Sequence, residues 1–216
     1  MTRARHVVMH ICGTDHCRRA PQVGVSGRHS GHLPHLAVLA VAWALFGVQS
    51  PHTQASTPTE YEVKAAYLYN FGRFVQWPAK AAAAKGDSFT ICVLGEDPFG
   101  PALHATIAGE TIGGKNVVAE RIAGPQQAVN CRILFISSSE DRRLKEILAE
   151  LDKASLLTVS DMPQFARRGG MVQFILEQNK VRFEVNLTAT ERAGLTLSSQ
   201  LLKLAISVRR GSQPGD

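Results

Sequence analysis

Two of the four cysteines, a run of three serines and a few carboxylates are the residues of this 216-residue chain whose types and spacing could do chemistry. Cys92 and Cys131 each sit in an apolar, β-branched run, FTICVLG and CRILFIS, of the kind that forms buried strands. If those strands are neighbours, the thiols can pair and close a loop of 38 intervening residues. Loop entropy would then contribute about 4 kcal/mol, less any strain. The alternative is two inert buried thiols. Gly95, Glu96 and Asp97 stand at the end of the first run, Ser137, Ser138 and Ser139 at the end of the second, and Ser160 and Asp161 at the end of a third, LLTVS. In open α/β sheets ligands bind beyond the carboxyl ends of the strands. Gly95, Glu96, Ser137, Ser138, Ser160 and Asp161 therefore form a candidate ligand crevice, where serine hydroxyls could hold a carboxylate or phosphate. Each of them is equally explained as a cap or turn former.

Catalytic patterns are missing. The sequence has no G-x-S-x-G elbow, no phosphate loop and no G-x-G-x-x-G. His104 is the only histidine after residue 53 and has no motif around it. Two cysteines and one histidine do not make a zinc site. Glu96, Asp97 and Asp161 could converge as acid and base, but three loop carboxylates are weak grounds for an enzyme. The expectation is a protein with no catalytic residues, no metal and no cofactor.

Composition divides the chain. Seven of the eight histidines precede residue 53, and up to residue 55 there are five Arg and one Asp. Beyond it stand 19 Lys plus Arg against 17 Asp plus Glu, so the formal charge of +6 falls to +2. That is too little to argue for nucleic acid. The apolar run Leu36 to Val48 is thirteen residues long, too short to span a bilayer, which needs about 20, and it fits the core of a secretory signal. Small residues at Thr53 and Ala55 suit cleavage after Ala55, leaving 56–216 as the exported domain. The stretch before the signal is long and irregular, which suggests initiation later than Met1, at the codon for Val23 or Val25.

The elements that must position these residues begin with Glu62 to Pro78. Six of the twelve aromatics after residue 55 lie between Tyr61 and Trp77. Val63, Ala66, Tyr67, Asn70, Phe71, Phe74 and Val75 recur at spacings of three and four, predicting a helix whose apolar stripe covers a sheet face. Strands are predicted at 89–94, 115–122 (an edge strand), 131–136 and 156–159. Helices are predicted at 99–107 and 140–153, the latter opened by a capping box in SSSE. Residues 171–176 and 180–187 read as an antiparallel hairpin. Leu197, Leu201, Leu204 and Val208, at four, three and four, predict a long final helix over 188–210. The sum is a single-domain α/β three-layer sandwich, its sheet mostly parallel with an antiparallel edge hairpin and a long C-terminal helix.

Seven blocks in order, VKAAYLYNFGRFVQWP, ICVLGEDPFG, CRILFIS, LTVSD, GGMVQF, VRFEVNL and AGLTLSSQLLKLA, resemble the periplasmic family named after the repressor YfiR, from about Glu60 to Val208. The resemblance implies an α/β sandwich and matches Cys92 and Cys131 to the family's disulfide-forming pair. Some relatives carry a second cysteine pair near the segment matching Pro163 to Phe174, and this chain has none there. The resemblance further implies a protein of the Gram-negative periplasm that binds the sensor domain of an inner-membrane diguanylate cyclase and represses it. An outer-membrane lipoprotein would relieve the repression, and a homodimer is a further expectation. The alternative is a small-ligand module feeding a histidine kinase or transporter. For the partner surface, the expected residues are Phe165, Phe183, Val185, Leu187, Leu195 and Leu197, because the last hairpin and helix carry more apolar side chains than one face can bury. Leu195→Asp or Leu197→Asp is expected to free the partner without unfolding the domain.

Overall fold

The structure is a computed structural model that describes residues 57–79, 86–152 and 154–210. The expected leader, its cleavage after Ala55 and the alternative start codons lie outside the described residues. Helix α1 (Glu60–Phe74) opens with a capping box. Thr59 Oγ1 accepts from Glu62 N at 3.3 Å, and Thr59 N donates to Glu62 Oε2 at 2.6 Å. These bonds satisfy two helix-end donors that would otherwise lack partners, and they hold the Glu62 carboxyl below its usual pKa. After α1 come β1 (Val75–Gln76), β2 (Ser88–Leu94), α2 (Pro101–Ile107), β3 (Thr111–Ile112) and β4 (Lys115–Ile122). Then follow β5 (Cys131–Ile136), α3 (Leu144–Glu150), β6 (Leu157–Ser160), β7 (Val172–Glu177) and β8 (Lys180–Asn186). The chain closes with α4 (Leu187–Arg192), β9 (Thr196–Leu197), α5 (Ser199–Leu204) and β10 (Ser207–Arg209).

Eight strands form one sheet in the order β10-β8-β7-β6-β5-β2-β4-β3. The pairs β2–β4, β2–β5, β5–β6, β6–β7 and β8–β10 are parallel, whereas β7–β8 and β3–β4 are antiparallel. Alternation along each strand sends side chains to opposite faces, and both faces are covered. Ile91, Val93, Ile133 and Phe135 face the layer of α1 and α2, with Leu68, Phe71 and Leu103. Cys92, Leu94, Leu134 and Ile136 face α3, with Leu144 and Ile147. This is the expected α/β three-layer arrangement with a mostly parallel sheet.

Three local expectations change. The long C-terminal helix is replaced by α4, β9, α5 and β10. Gly194, at φ 73°, takes the left-handed conformation that ends α4, and Gly194 N donates to Glu191 O at 2.9 Å. Leu197 then pairs with Val75 in a small antiparallel ribbon, and Val208 pairs with Val185. Spacings of four, three and four fit a helix, but these leucines and Val208 are divided among three short elements. The hairpin β7–β8 is consequently not the sheet edge, because β10 lies outside it. Finally, SSSE opens a 3-10 segment, Ser138–Arg143, before α3. Ser137 Oγ caps Ser139 N at 3.4 Å, but Glu140 turns to Arg143 rather than back to the cap.

Cys92 and Cys131 form a disulfide between the adjacent strands β2 and β5, with Cα atoms 5.8 Å apart. It sits on the α3 side of the sheet, fully buried.

Candidate functional site

Strands β2, β5 and β6 are parallel neighbours, so their carboxyl ends meet at one rim. The six crevice residues lie along it, but most of their polar atoms are engaged within the protein. Gly95 has φ 89°, and a Cβ there would stand 2.4 Å from Ser139 Oγ. Ser139 Oγ accepts from Glu96 N at 2.9 Å, tying the first strand end to the second. Ser137 N donates to Leu94 O at 2.9 Å, and Ser138 is exposed. Ser160 is fully buried; its hydroxyl donates to Ile136 O at 2.6 Å and accepts from Met162 N at 3.1 Å. These serines lock neighbouring strand ends together, and the larger cavities described below are lined by other residues.

Asp161 differs. Its Oδ2 accepts from Lys64 Nζ at 2.6 Å and from Tyr61 OH at 3.0 Å, both on the first turns of α1. Lys64 Nζ also meets Glu60 Oε1 at 2.5 Å and lies 4.3 Å from the centroid of the Tyr61 ring. Lys64 is only 3% exposed. Burial alone would lower its pKa, but the hydrogen bonds to Asp161 and Glu60 outweigh that and hold the ammonium above the usual lysine value. Burial, followed by the charge of Asp161, raises the Tyr61 phenol. The Tyr61 ring packs edge-on against Phe99, and Phe99 against Phe135 on β5, at 5.5 and 4.8 Å. The start of α1 is thus clamped over the rim by a charged cluster on an aromatic stack.

Periodicity did not find this cluster. The deepest line of α1 runs through Lys64, Ala65, Leu68, Phe71 and Gly72. Of the predicted stripe, Phe71 and Val75 are buried, whereas Val63, Ala66, Tyr67, Asn70 and Phe74 pack at the margins. A hydropathy pattern places a lysine outside, and its partners Asp161, 97 residues away, and Glu60 make an inside position tolerable. One signal was present: Lys64 stands four residues after Glu60 and beside buried Ala65 and Leu68.

The expected partner surface is corrected. Phe165, Phe183 and Val185 are fully buried, Leu195 is 2% exposed, and Leu187 and Leu197 are each 7% exposed. Tyr67 and Phe71 of α1 cover Phe183 with ring centroids 5.5 and 5.2 Å away. Phe165 packs in the other layer, where a Cβ on Gly170 would fall 2.1 Å from its ring. The two covered faces of the sheet and the β1–β9 ribbon absorb the apolar excess that suggested a surface. Exposed apolar side chains occur instead at Leu204, Ile206 and Val208, 61%, 46% and 41% exposed, on and just before β10. Among the described strands β10 is the edge at one end of the sheet and β3 at the other.

Two sizeable cavities open elsewhere. One of about 400 Å³ lies between α1 and the β7–β8 hairpin, lined by Glu60, Val63, Tyr67, Leu176, Lys180 and Arg182 among others. The second, of about 350 Å³, lies where α1 ends and β2, β4 and β5 begin. Among the described residues no group of three or more His, Cys, Asp or Glu side chains is placed to hold a metal ion. Likewise, none of the described helices is long and apolar enough to cross a membrane.

Fold and rim together define a disulfide-stapled α/β domain, covered on both faces, whose strand ends are clamped by its own first helix. The chain belongs to the YfiR/HmsC-like family, whose model matches residues 61–206. Among solved structures it is similar to a conserved domain protein from Vibrio cholerae, at 12% identity and a TM-score of 0.49, covering 71% of this chain and 62% of that one. It is also similar to an ABC domain in complex with L-Trp from Streptococcus pneumonia, at 11% identity and a TM-score of 0.44, covering 60% of this chain and 58% of that one. The chain thus spans about three fifths of each. No curated protein matches it.

Proposed function

We propose that this protein is a periplasmic regulator that binds the sensor domain of a membrane-bound diguanylate cyclase and represses it by contact, lowering cyclic-di-GMP output. The observation that carries the reading is the family match across residues 61–206. A role in regulation rather than catalysis is what membership of that family supports. The buried Cys92–Cys131 disulfide suits an oxidising compartment, where such bonds persist. In place of the buried residues expected from sequence, the contact surface is Leu204, Ile206 and Val208 with the outer edge of β10. Edge strands accept a further strand through main-chain hydrogen bonds, and neighbouring apolar side chains add specificity. An outer-membrane lipoprotein that relieves the repression, or a second copy of the chain, would compete for the same kind of edge.

The test is co-isolation of the protein with a cyclase from solubilised membranes, with cyclic-di-GMP measured in cells with and without the gene. Capture of a cyclase and a rise in cyclic-di-GMP on deletion are expected. Unchanged cyclic-di-GMP and no cyclase in the eluate would overturn the reading. The cavity of about 400 Å³ between α1 and the hairpin favours a second reading, a small-ligand module feeding a histidine kinase or transporter. Capture of a kinase or transporter in the same experiment would favour it.

A further inference from the structure

We propose that the outer edge of β4 is a docking strand for an extended partner segment that carries a cation opposite Glu120. This edge lies at the end of the sheet away from β10 and is separate from the surface proposed for the cyclase. β4 has 8 residues, Lys115–Ile122, but its outer neighbour β3 has only 2, pairing Thr111 with Asn116 and Ile112 with Lys115. Val117 N donates to Glu110 O at 3.0 Å, and there the cover stops. Residues two apart along a strand turn their main-chain N–H and C=O to the same side. Those of Val117 face outward, so those of Ala119, Arg121 and Ala123 do too. Ala123 N donates to Gln127 Oε1 at 2.7 Å, which closes the far end. Between these two stops, among the described residues, no hydrogen bond reaches the outward N–H or C=O of Ala119 or Arg121. Ala119 is half-buried and Arg121 exposed, so the stretch is open to solvent.

Four main-chain groups in register are what an added strand pairs with. Side chains then decide which strand is admitted. Ala119 and Arg121 lie on the face covered by α1 and α2, and Arg121 is already engaged, its Nε donating to Asp97 Oδ2 at 2.7 Å. Val118, Glu120 and Ile122 lie on the α3 face, where Ile122 joins the core. Glu120 is exposed and forms no ion pair with a described residue. A lone charge on an edge keeps unselected strands away. A cation directly opposite it removes that barrier, and apolar residues two positions to either side of the cation meet Val118 and Ile122. A second copy of the chain is refused by the same residue. Antiparallel pairing that used all four free groups of each copy would set Ala119 against Arg121 and Glu120 against Glu120, two carboxylates face to face. Charge therefore selects a foreign strand over a like one.

The experiment follows the backbone amide signals of Ala119 and Arg121 in the isotope-labelled protein. The probes are two end-blocked peptides, VTKTV and VTETV, which place Lys or Glu opposite Glu120 and valines opposite Val118 and Ile122. VTKTV is expected to shift both amides saturably and to slow their hydrogen exchange, and VTETV to bind about three- to tenfold more weakly. Raising the salt concentration is expected to narrow that gap, since exposed charges are screened. Glu120→Gln, a surface change, is expected to erase the gap with the thermal midpoint unchanged. Equal binding of the two peptides by the native chain overturns the proposal, as do amide signals that VTKTV leaves in place. Amides protected in the protein alone, and increasingly so at higher protein concentration, overturn it in favour of a second copy on this edge. The comparison of peptides uses the unmodified chain, so it decides the matter whether or not the variant folds.

Discussion

Lys64 Nζ donates to Asp161 Oδ2 at 2.6 Å, joining the first helix to the loop after β6 across 97 residues of sequence. Lysine is buried here to 3% exposure, and Asp161 retains 15%. Removing one partner of a fully buried pair costs about 3 to 5 kcal/mol. Asp161 touches solvent, so the expected loss for Lys64→Met or Asp161→Asn is about 2 to 4 kcal/mol. Urea unfolding of both variants and of the double variant measures it. Single losses that add in full in the double variant would show that the two groups act separately.

The same cluster sets a pH dependence. Lys64 and Tyr61 both have folded pKa values raised above their usual ones. A raised folded pKa means that the unfolded chain loses its proton first as pH rises. The stability contributed is therefore fully present below about pH 10, near the ordinary tyrosine and lysine values, and is lost as pH climbs through the folded values. The urea midpoint should hold steady from pH 7 to 9 and fall above pH 10. In Lys64→Met the fall should be shallower. An equal slope in the variant would remove the lysine from the account.

The disulfide gives a prediction of similar size. Closing a loop over a sequence separation of 39 stabilises the domain by about 4 kcal/mol through loss of unfolded-state entropy. Cys92→Ala with Cys131→Ala should lower the unfolding free energy by about 3 to 4 kcal/mol, and reductant should do the same to the native chain. Guanidinium unfolding with and without reductant checks this. Reductant should leave the double alanine variant unaffected. If partner capture is lost in step with stability, the bridge is structural; if it is lost while the fold still melts cooperatively at the working temperature, the bridge is part of the switch.

Gly170 tests the packing of the second layer. A Cβ on it would lie 2.1 to 2.5 Å from three atoms of the fully buried Phe165 ring. That ring is buried in one cluster with Met162, Leu144 and Ile147. Gly170→Ala should destabilise by about 1 to 3 kcal/mol, the usual cost of overpacking a core. The pair Gly170→Ala with Phe165→Leu should recover part of it, as read from thermal midpoints.

The residues that were legible in the sequence are those whose local pattern and tertiary role agree. FTICVLG and CRILFIS read as buried strands because both faces of the sheet are covered, and so the two cysteines fell on neighbours. The crevice serines were legible as rim residues, but the Ser160 hydroxyl is consumed by Ile136 O and that of Ser137 by Ser139 N, which no spacing reveals. Lys64 was hidden because its burial depends on Asp161. The C-terminal segment misled because Leu197, Leu201, Leu204 and Val208 happen to repeat like a helix. The counter-signals were Gly194, which interrupts it, and the β-branched Thr196, Ile206 and Val208, which suit strands.

That correction separates two sets of substitutions that the sequence would treat alike. Leu195 and Leu197 are buried, so Leu195→Asp or Leu197→Asp places a charge in the core and should unfold the domain rather than free a partner. Leu204 and Val208 are exposed, so Leu204→Asp with Val208→Asp should leave the thermal midpoint within about 2 °C of the native value, because surface changes rarely exceed about 0.5 kcal/mol. Val208 pairs with Val185, and its side chain shares the sheet face of Phe183 where that face reaches solvent. A charge there blocks an apolar strand from adding to β10. The double variant should accumulate at native levels yet fail to retain a cyclase in co-isolation, and cyclic-di-GMP should rise as in the deletion strain. A variant that folds, captures the cyclase and represses it as before would show that β10 is not the contact surface.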